Sequence, residues 1–274
     1  MSGPAGRSRP ACVVTGSTGI GAATAERLAA GGAAVFVVSR RAEHARELAD
    51  RLTAGGASAG WHAADLTVES EADGAIAAAV AAFGRIDGLL SVAGGSGRQF
   101  GDGPIHELTA EGWDRTIELN LRSQALVCRA IVRRMLEQDP GPSGTRGSIV
   151  LVGSVLAAQP VPELFATHAY AAAKGAITAL ATTMAAYYAR DRIRVNVVAP
   201  SLTATPMAER AVQDARTVAF ARRKQPLVDG FVAADDVAAA AAYLLSDDAR
   251  AVTGQVLTVD GGWSVVAAEP GAAP

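Results

Sequence analysis

Short apolar runs alternate with longer amphipathic stretches along almost the whole chain. Several of the short runs are nearly continuous in apolar residues, as at 35–38 and 148–152. Strands of a parallel sheet that is covered on both faces have this composition. The pattern predicts seven strands, at 11–15, 34–39, 57–63, 88–92, 148–152, 194–199 and 255–260.

Helical stretches separate these strands, near 20–30, 42–53, 68–83, 110–137, 168–190 and 235–245. Regular strand–helix alternation predicts an α/β fold of right-handed βαβ units, with a doubly wound parallel sheet and helices on both faces. No repeat or linker divides the chain. We therefore predict a single domain over 11–265, with flexible tails at 1–10 and 266–274. Ligands of such sheets bind beyond the carboxyl ends of the strands.

Composition and charge narrow the function. Half of the residues are hydrophobic, the net charge is −2 and the isoelectric point is about 6.1. This balance gives no electrostatic reason to expect nucleic acid or an anionic membrane surface as a partner. The sequence contains no signal-like or bilayer-spanning apolar segment, so a cytoplasmic protein is expected. Cys12 and Cys128 lie in apolar runs and predict buried thiols, with no disulfide and no metal site.

A glycine-rich turn joins the first strand to the first helix. Glycines allow a tight turn and let backbone amides approach a pyrophosphate at the positive end of the helix dipole. The spacing differs from G-x-G-x-x-G, but the position between strand and helix favours nucleotide binding. The candidate cofactor residues here are Gly16, Ser17, Thr18, Gly19, Ile20 and Gly21.

The second strand ends in Ser39 and Arg40, with no carboxylate that would bind a ribose 2′-hydroxyl. A serine followed by a guanidinium suits a 2′-phosphate, which arginine binds with two parallel hydrogen bonds. This favours NADP(H) over NAD(H). The alternative is that Arg40 and Arg41 only begin a solvated helix.

Two further strand ends contribute candidates for the nucleotide site. Asp65 and Leu66 follow the third strand, where the Asp65 carboxylate either caps the next helix or accepts from an adenine amino group. Ala93 and Gly94 follow the fourth strand and leave room for a flat ring against the backbone. Neither pair identifies a nucleotide site by itself.

Tyr170 and Lys174 carry the strongest chemical signal. Four residues apart on a helix, the two side chains share one face. A nearby ammonium favours the phenolate and lowers the phenol pKa, which suits general acid–base chemistry. An isolated pair of this kind is more commonly a half-buried ring beside a solvated charge, so its weight comes from the accompanying motifs.

In this order the motifs resemble those of the short-chain dehydrogenase/reductase family, and most closely its 3-oxoacyl-acyl-carrier-protein-reductase-like branch. The resemblance spans 11–264 and implies a Rossmann-like fold. Besides the glycine turn, Asp65, Ala93-Gly94 and Tyr170…Lys174, it rests on Asn120 in Glu-Leu-Asn-Leu, Ser154 in Val-Gly-Ser, Asn196-Val197-Val198-Ala199-Pro200, Thr253-Gly254-Gln255 and Val259-Asp260-Gly261-Gly262.

The resemblance implies a catalytic set of Asn120, Ser154, Tyr170 and Lys174. Tyr170 would protonate a carbonyl oxygen as hydride arrives from the nicotinamide, and Ser154 would hydrogen-bond that oxygen. Lys174 would hold the nicotinamide ribose and lower the Tyr170 pKa. The main-chain carbonyl of Asn120 would anchor a water in a proton relay. The alternatives for Ser154 and Asn120 are a turn residue after a strand and a surface polar residue of a helix.

The chain departs from the family pattern at four places. Only two residues separate Gly16 from Gly19, where the family usually has three. Ser91-Val92 replaces Asn-Asn, and we expect the Ser91 hydroxyl to replace part of the lost amide bonding. Serine at 201 replaces a glycine. The interval from Ser154 to Tyr170 is long, and its prolines predict a stiff wall beside the substrate at 159–165.

The remaining expectations also come from the resemblance and from loops. Pro200, Thr203 and Thr205 would complete the cofactor site. An apolar ketone or acyl/polyketide-like carbonyl would meet loop residues after the strands. Arg129, Arg133 and Arg134 of the fourth helical stretch could dock an acidic carrier protein. A homotetramer, or a homodimer, is expected. The alternatives are a catalytically silent nucleotide sensor and an NAD-linked alcohol dehydrogenase. The candidate substrate residues are Gly95, Leu156, Phe165 and Met207.

Overall fold

A parallel seven-stranded sheet forms the centre of the computed structural model, which describes residues 9–267. In the sheet the strands follow the order β3-β2-β1-β4-β5-β6-β9, and every neighbouring pair is parallel. All seven predicted strands are confirmed. Their bounds are β1 Ala11–Thr15, β2 Ala34–Ser39, β3 Ala59–Ala63, β4 Gly88–Ser91, β5 Gly147–Val152, β6 Ile193–Pro200 and β9 Val256–Val259.

Helices cover both faces of this sheet, as predicted for a doubly wound α/β fold. Apolar side chains of α3, α5 and α6 form the core on one face, and those of α1, α2 and α9 form the core on the other. The helices are α1 Gly19–Ala30, α2 Ala42–Ala54, α3 Glu69–Phe83, α4 Ala110–Ile117, α5 Ser123–Glu137, α6 His168–Tyr188, α7 Glu209–Gln213, α8 Ala215–Lys224 and α9 Ala234–Leu245.

The predicted helical stretch over 110–137 is helical throughout, but it is not one regular α-helix. Helices α4 and α5 are joined by a π-helical turn, Glu118–Arg122, which carries Asn120. One extra residue within the turn shifts the hydrogen-bond ladder without breaking the apolar periodicity, so the sequence pattern does not reveal it. Such turns occur frequently at functional sites.

The segment between β6 and α9 contains elements that the sequence did not predict. Helices α7 and α8 lie there, between two short strands, β7 Thr203–Ala204 and β8 Val232–Ala233, which pair in parallel. These strands have two residues each, too few for an alternation of apolar and polar positions to be visible.

The predicted tails lie mostly outside the described part of the chain, which leaves out 1–8 and 268–274. Within 9–267, no helix combines the length and apolar character needed to cross a membrane. Both cysteines are buried thiols, as predicted, and burial raises the pKa of Cys12 and of Cys128 to about 12.

Candidate active site

Lys174 is buried on the inner face of α6, only 4% exposed. Its Nζ donates to the Val152 carbonyl oxygen, 2.8 Å away at the end of β5. Burial lowers the pKa of Lys174 to about 8. Nζ also lies 5.6 Å from the centroid of the Tyr170 ring. The i,i+4 spacing therefore places both groups on one face of α6, above the carboxyl end of the sheet, as predicted.

Tyr170 stands in the first turn of α6 and meets Ser154, which follows β5. Burial raises the pKa of Tyr170 above its ordinary value, and the hydrogen bond with the Ser154 side chain acts in the opposite direction. The net pKa shift is therefore upward, opposite to the lowering expected from Lys174, because burial of the phenol outweighs the contribution of Ser154. Ser154 is also a turn residue, since its Oγ accepts from the Leu156 N–H at 3.2 Å.

Asn120 is fully buried, so the alternative of a surface polar residue is wrong. Its carboxamide binds the backbone of Gly95 and the carbonyl of Thr116. A Cβ at Gly94 would lie 2.7 Å from Asn120 Oδ1 and 3.7 Å from Lys174 Nζ. The structure therefore brings Gly94, Asn120 and Lys174 together, and only a glycine fits between them.

Gln124 is a polar neighbour of this cluster that sequence reasoning missed. It is fully buried, and its Nε2 donates at 3.3 Å to the same Val152 carbonyl that Lys174 binds. Its Oε1 is buried without a hydrogen-bond partner in the described part of the chain. The spacing of four residues from Asn120, on the same helical face, is the signal that could have indicated it.

The glycine turn after β1 has the geometry of a cradle. Gly19 has φ +51°, and a Cβ at Gly21 would lie 2.6 Å from the Gly16 carbonyl oxygen, so α1 approaches the turn closely. The first turn of α1 holds no acidic residue, and Thr18 provides no side-chain cap. Backbone amides at a helix N-terminus that lacks such groups suit a pyrophosphate. The residues present therefore fit a dinucleotide despite the shortened spacing.

Polar side chains meet at the ends of β2 and β3. Ser17 Oγ donates to Ser39 Oγ at 3.0 Å. Burial by itself would raise the pKa of Asp65, but hydrogen bonds from Thr67 and the charges of Arg40 and Arg115 lower it overall. The Arg40 guanidinium thus lies on the Asp65 side of the site. Asp65 Oδ1 forms a local turn with Thr67 and does not cap α3, whose N-cap is Val68.

The turn after β4 is held by Thr15, not by Ser91. Thr15 Oγ1 accepts from the N–H groups of Val92 at 3.0 Å and Ala93 at 3.2 Å. The Ser91 hydroxyl is buried and has no hydrogen-bond partner within 9–267. The expected role of Ser91 is therefore wrong, because Thr15 makes these hydrogen bonds and the Ser91 hydroxyl makes none within 9–267.

The segment after β6 reaches the glycine turn. A Cβ at Gly19 would lie 3.0 Å from Thr205 Cγ2, which places Thr205 against the nucleotide turn. Thr203 Oγ1 donates to the Ser201 carbonyl oxygen at 3.1 Å. Ser201 is not among the non-glycine residues with positive φ, so the loop needs no glycine there. Leu66 is buried in the core, and Pro200 ends β6.

The four predicted substrate residues fall into two groups: two pack in an apolar cluster, and two lie elsewhere. Leu156 and Phe165 pack against an apolar cluster of Val155, Val161 and Trp263. Gly95 supports Asn120, and Met207 is 62% exposed. Beside this cluster lies a cavity of about 510 Å³ with several charged side chains in its lining. The sequence predicted a mainly apolar substrate site. The lining of the cavity includes Arg98, Asp102, Glu107, Glu163 and Leu164.

The sequence model of a family described as enoyl-(acyl carrier protein) reductase matches residues 14–264 of the chain. The chain is also 37% identical to cis-4-hydroxycyclohexanecarboxylate dehydrogenase from Sinomonas cyclohexanicum, over 96% of its own length and 100% of that protein. It belongs to the short-chain dehydrogenase/reductase family. As a member, it is an oxidoreductase that acts on alcohol or ketone substrates.

Two solved structures of the family show its nucleotides. A variant of actinorhodin polyketide ketoreductase with NADPH matches with TM-score 0.83 and 30% identity, over 95% of this chain and 99% of that one. The 3-ketoacyl-(acyl-carrier-protein) reductase of Brucella melitensis with NADH matches with TM-score 0.81 and 29% identity, over 93% and 98%. Family members thus bind either nucleotide.

Proposed function

We propose that the protein interconverts a ketone and a secondary alcohol, using NADP(H), with Tyr170 as general acid and base. The observation that carries this proposal is the position of the buried Lys174 Nζ, 5.6 Å from the Tyr170 ring centroid and bonded to the end of β5, which Ser154 follows. A phenol, a hydroxyl and an ammonium that converge beyond the carboxyl end of a parallel sheet suit proton transfer to a bound carbonyl oxygen.

Each side chain has a distinct task in the reduction. A nicotinamide nucleotide supplies the hydride when it is bound. Tyr170, whose raised pKa keeps the phenol protonated at neutral pH, donates its proton to the carbonyl oxygen, and Ser154 hydrogen-bonds the same oxygen. The charge of Lys174 favours the phenolate that remains. The main-chain carbonyl of Asn120 would anchor a water that links Lys174 to solvent in a proton relay.

The preference for NADP(H) is supported by charge at the end of β2. Ser17 and Ser39 form a neutral hydroxyl pair there, and Arg40 is the neighbouring cation. At the end of β2, hydroxyl donors and a guanidinium could bind a ribose 2′-phosphate. Strand β2 offers no carboxylate that could bind the ribose 2′-hydroxyl of NAD(H).

The substrate is proposed to be a small carbonyl compound of apolar or acyl/polyketide-like character. The apolar cluster with Leu156 and Phe165 supports this, as do relatives named for a cyclohexane hydroxy acid and for a polyketide. Docking of an acidic carrier protein is disfavoured. Arg129 is paired with Glu69 at 2.6 Å and Asp73 at 3.0 Å, which partly neutralises the helix that a carrier would contact.

A homotetramer, or a homodimer, is supported by apolar groups on two elements. Among residues 9–267, strand β9 is an edge of the sheet, with no partner strand on its outer side, and Val256 and Leu257 are 44% and 37% exposed. Tyr187 on α6 is 75% exposed. Sedimentation velocity at micromolar concentration tests this assembly.

A ketone panel tests the proposed function. NADPH oxidation is followed with cyclohexanones, aryl ketones and β-ketoacyl thioesters, and NADH is tested in parallel. Turnover of at least one ketone, faster with NADPH, is expected. Turnover that requires NADH would favour the NAD-linked alcohol dehydrogenase. Tight NADPH binding without turnover of any ketone would favour the silent nucleotide sensor.

A further inference from the structure

The helix that carries Tyr170 is capped by a residue far away in sequence. Asp102 Oδ1 accepts from the Ala169 N–H at 2.9 Å, and Oδ2 accepts from the Tyr170 N–H at 3.0 Å. Thr167, which precedes α6, provides no side-chain cap of its own. Both carboxylate oxygens therefore hold the first turn of α6, and one of them binds the backbone of Tyr170 itself.

Asp102 is only 5% exposed, and it forms no ion pair within residues 9–267. Burial of an unpaired carboxylate is costly unless hydrogen bonds and local dipoles compensate for the loss of water. Here the compensation comes from the two backbone N–H groups and the positive end of the α6 dipole. The carboxylate cannot leave this position without losing both.

The loop around Asp102 lies between α4, which leads to Asn120, and α6, which carries Tyr170. A Cβ at Gly97 would lie 2.8 Å from the Asp102 Cβ and would overlap Thr116 Oγ1 on α4. The carbonyl of Thr116 in turn accepts from Asn120 Nδ2 at 3.0 Å. The same short loop thus packs against the helix that leads to Asn120 and binds the helix that carries Tyr170.

A second pair of contacts ties this loop to the segment before α6. His168 Nδ1 lies 2.8 Å from the Gly103 carbonyl oxygen. Arg98 Nη2 donates to the Leu164 carbonyl oxygen at 2.7 Å. The start of α6 and the residues before it are therefore bound to the 97–103 loop at several points. Among these contacts, only those of Asp102 are made by a buried charged side chain.

We propose that Asp102 is a positioning residue, which sets the distance between the Tyr170 hydroxyl and the carbonyl oxygen that it protonates. This inference rests on the proposed function, in which Tyr170 is the acid. Tyr170 lies in the first turn, so a shift of that turn moves its hydroxyl directly. A misplacement of about 1 Å can reduce a rate by about a hundredfold.

The test replaces Asp102 by asparagine, which has the same shape but presents an NH₂ group to one of the two N–H donors. Asp236→Asn is the control for loss of an exposed capping carboxylate. Asp236 accepts from the Ala233 N–H at the start of α9, on the face of the sheet opposite α6. For each protein, kcat, KM for NADPH and the solvent deuterium isotope effect on kcat are measured well below the Tm.

Asp102→Asn is expected to lower kcat about tenfold or more and to raise the isotope effect, because proton transfer becomes slower. KM for NADPH should stay within about twofold, since the glycine turn is untouched. Asp236→Asn should leave all three quantities near wild type. Wild-type kcat and isotope effect in folded Asp102→Asn would overturn the proposal.

A second variant decides the matter if Asp102→Asn does not fold. His168→Ala removes an exposed side chain and its contact with the Gly103 carbonyl, which also holds the start of α6 to the 97–103 loop. A smaller fall in kcat with a higher isotope effect supports the proposal, and unchanged values overturn it.

The Tyr170→Phe variant separates this inference from the proposed function. Undiminished turnover in Tyr170→Phe overturns both, whereas loss in Tyr170→Phe with none in Asp102→Asn overturns only the positioning role.

Discussion

The side chain of Asn120 pairs with the backbone of Gly95 through two hydrogen bonds. Asn120 Nδ2 donates to the Gly95 carbonyl oxygen at 2.9 Å, and Asn120 Oδ1 accepts from the Gly95 N–H at 3.1 Å. The carboxamide thereby gives the Gly95 backbone, in the loop after β4, the donor and the acceptor that a neighbouring strand would otherwise supply. It joins the π-helical turn to the end of the sheet where Lys174 lies.

Asn120→Ala is predicted to remove two hydrogen bonds to the part-buried Gly95 backbone and one to the buried Thr116 carbonyl. The free energy of unfolding should fall by about 2–4 kcal/mol. Asn196→Ala is the matched control. Asn196, on β6, is equally buried, and its side chain makes two hydrogen bonds to backbone groups, those of Val252 and Gln255, where Asn120 makes three. Urea denaturation should show similar losses of unfolding free energy in both variants, whereas kcat of the folded protein should fall only in Asn120→Ala.

Gly94→Ala is predicted to displace Asn120, because its new Cβ would lie 2.7 Å from Asn120 Oδ1. We expect a loss of stability of about 1–3 kcal/mol and a reduced affinity for NADPH. Gly74→Ala in α3 is the control, since a Cβ there meets nothing within 4 Å. That variant should gain about 0.5–1 kcal/mol from helix propensity. Equal stability of the two variants in thermal melts would contradict the crowding at Gly94.

Much of the fold could be predicted because five of the seven strands are almost wholly buried and leave short, nearly continuous apolar runs between the helical stretches. The π-helical turn at 118–122 could not, since one inserted residue leaves the periodicity of the flanking helices intact. Asp102 was missed because the amides it caps lie more than sixty residues along the chain. The direction of the Tyr170 pKa shift was wrong because sequence spacing shows a charge nearby but does not show desolvation.

Lys174→Met is predicted to stabilise the protein at pH 7 while abolishing its activity. Burial lowers the Lys174 pKa to about 8, so below that pH the folded chain carries a charge that water solvates better in the unfolded chain. The cost is about 1–3 kcal/mol. Gln124 still donates to the Val152 carbonyl in the variant.

The advantage of Lys174→Met should shrink between pH 8 and 10.5, where the unfolded wild type still binds the proton and the folded wild type does not. Lys224→Met removes the only other lysine and loses a hydrogen bond to Val266, so it should gain no stability at pH 7. Denaturation curves at pH 7 and 10 check this. A constant advantage of Lys174→Met across this range would contradict the assigned cause.

Arg40→Asp is predicted to reverse the nucleotide preference. The substitution removes the guanidinium proposed to bind the 2′-phosphate and supplies a carboxylate for a 2′-hydroxyl. We expect kcat/KM for NADPH to fall about a hundredfold or more, while kcat/KM for NADH rises. Arg41→Asp is the neighbouring control. Equal effects of both variants would show that general charge, and not the Arg40 site, sets the preference.

The phenol of Tyr170 is the centre of this account, and its removal is the most direct test. Tyr170→Phe keeps the ring and loses only the hydroxyl, and Tyr187→Phe does the same at an exposed position of the same helix. With NADPH and the best ketone of the panel, Tyr170→Phe should lose about a thousandfold in kcat while still binding NADPH, and Tyr187→Phe should match wild type. Equal kcat in Tyr170→Phe and wild type would contradict the assignment of the acid.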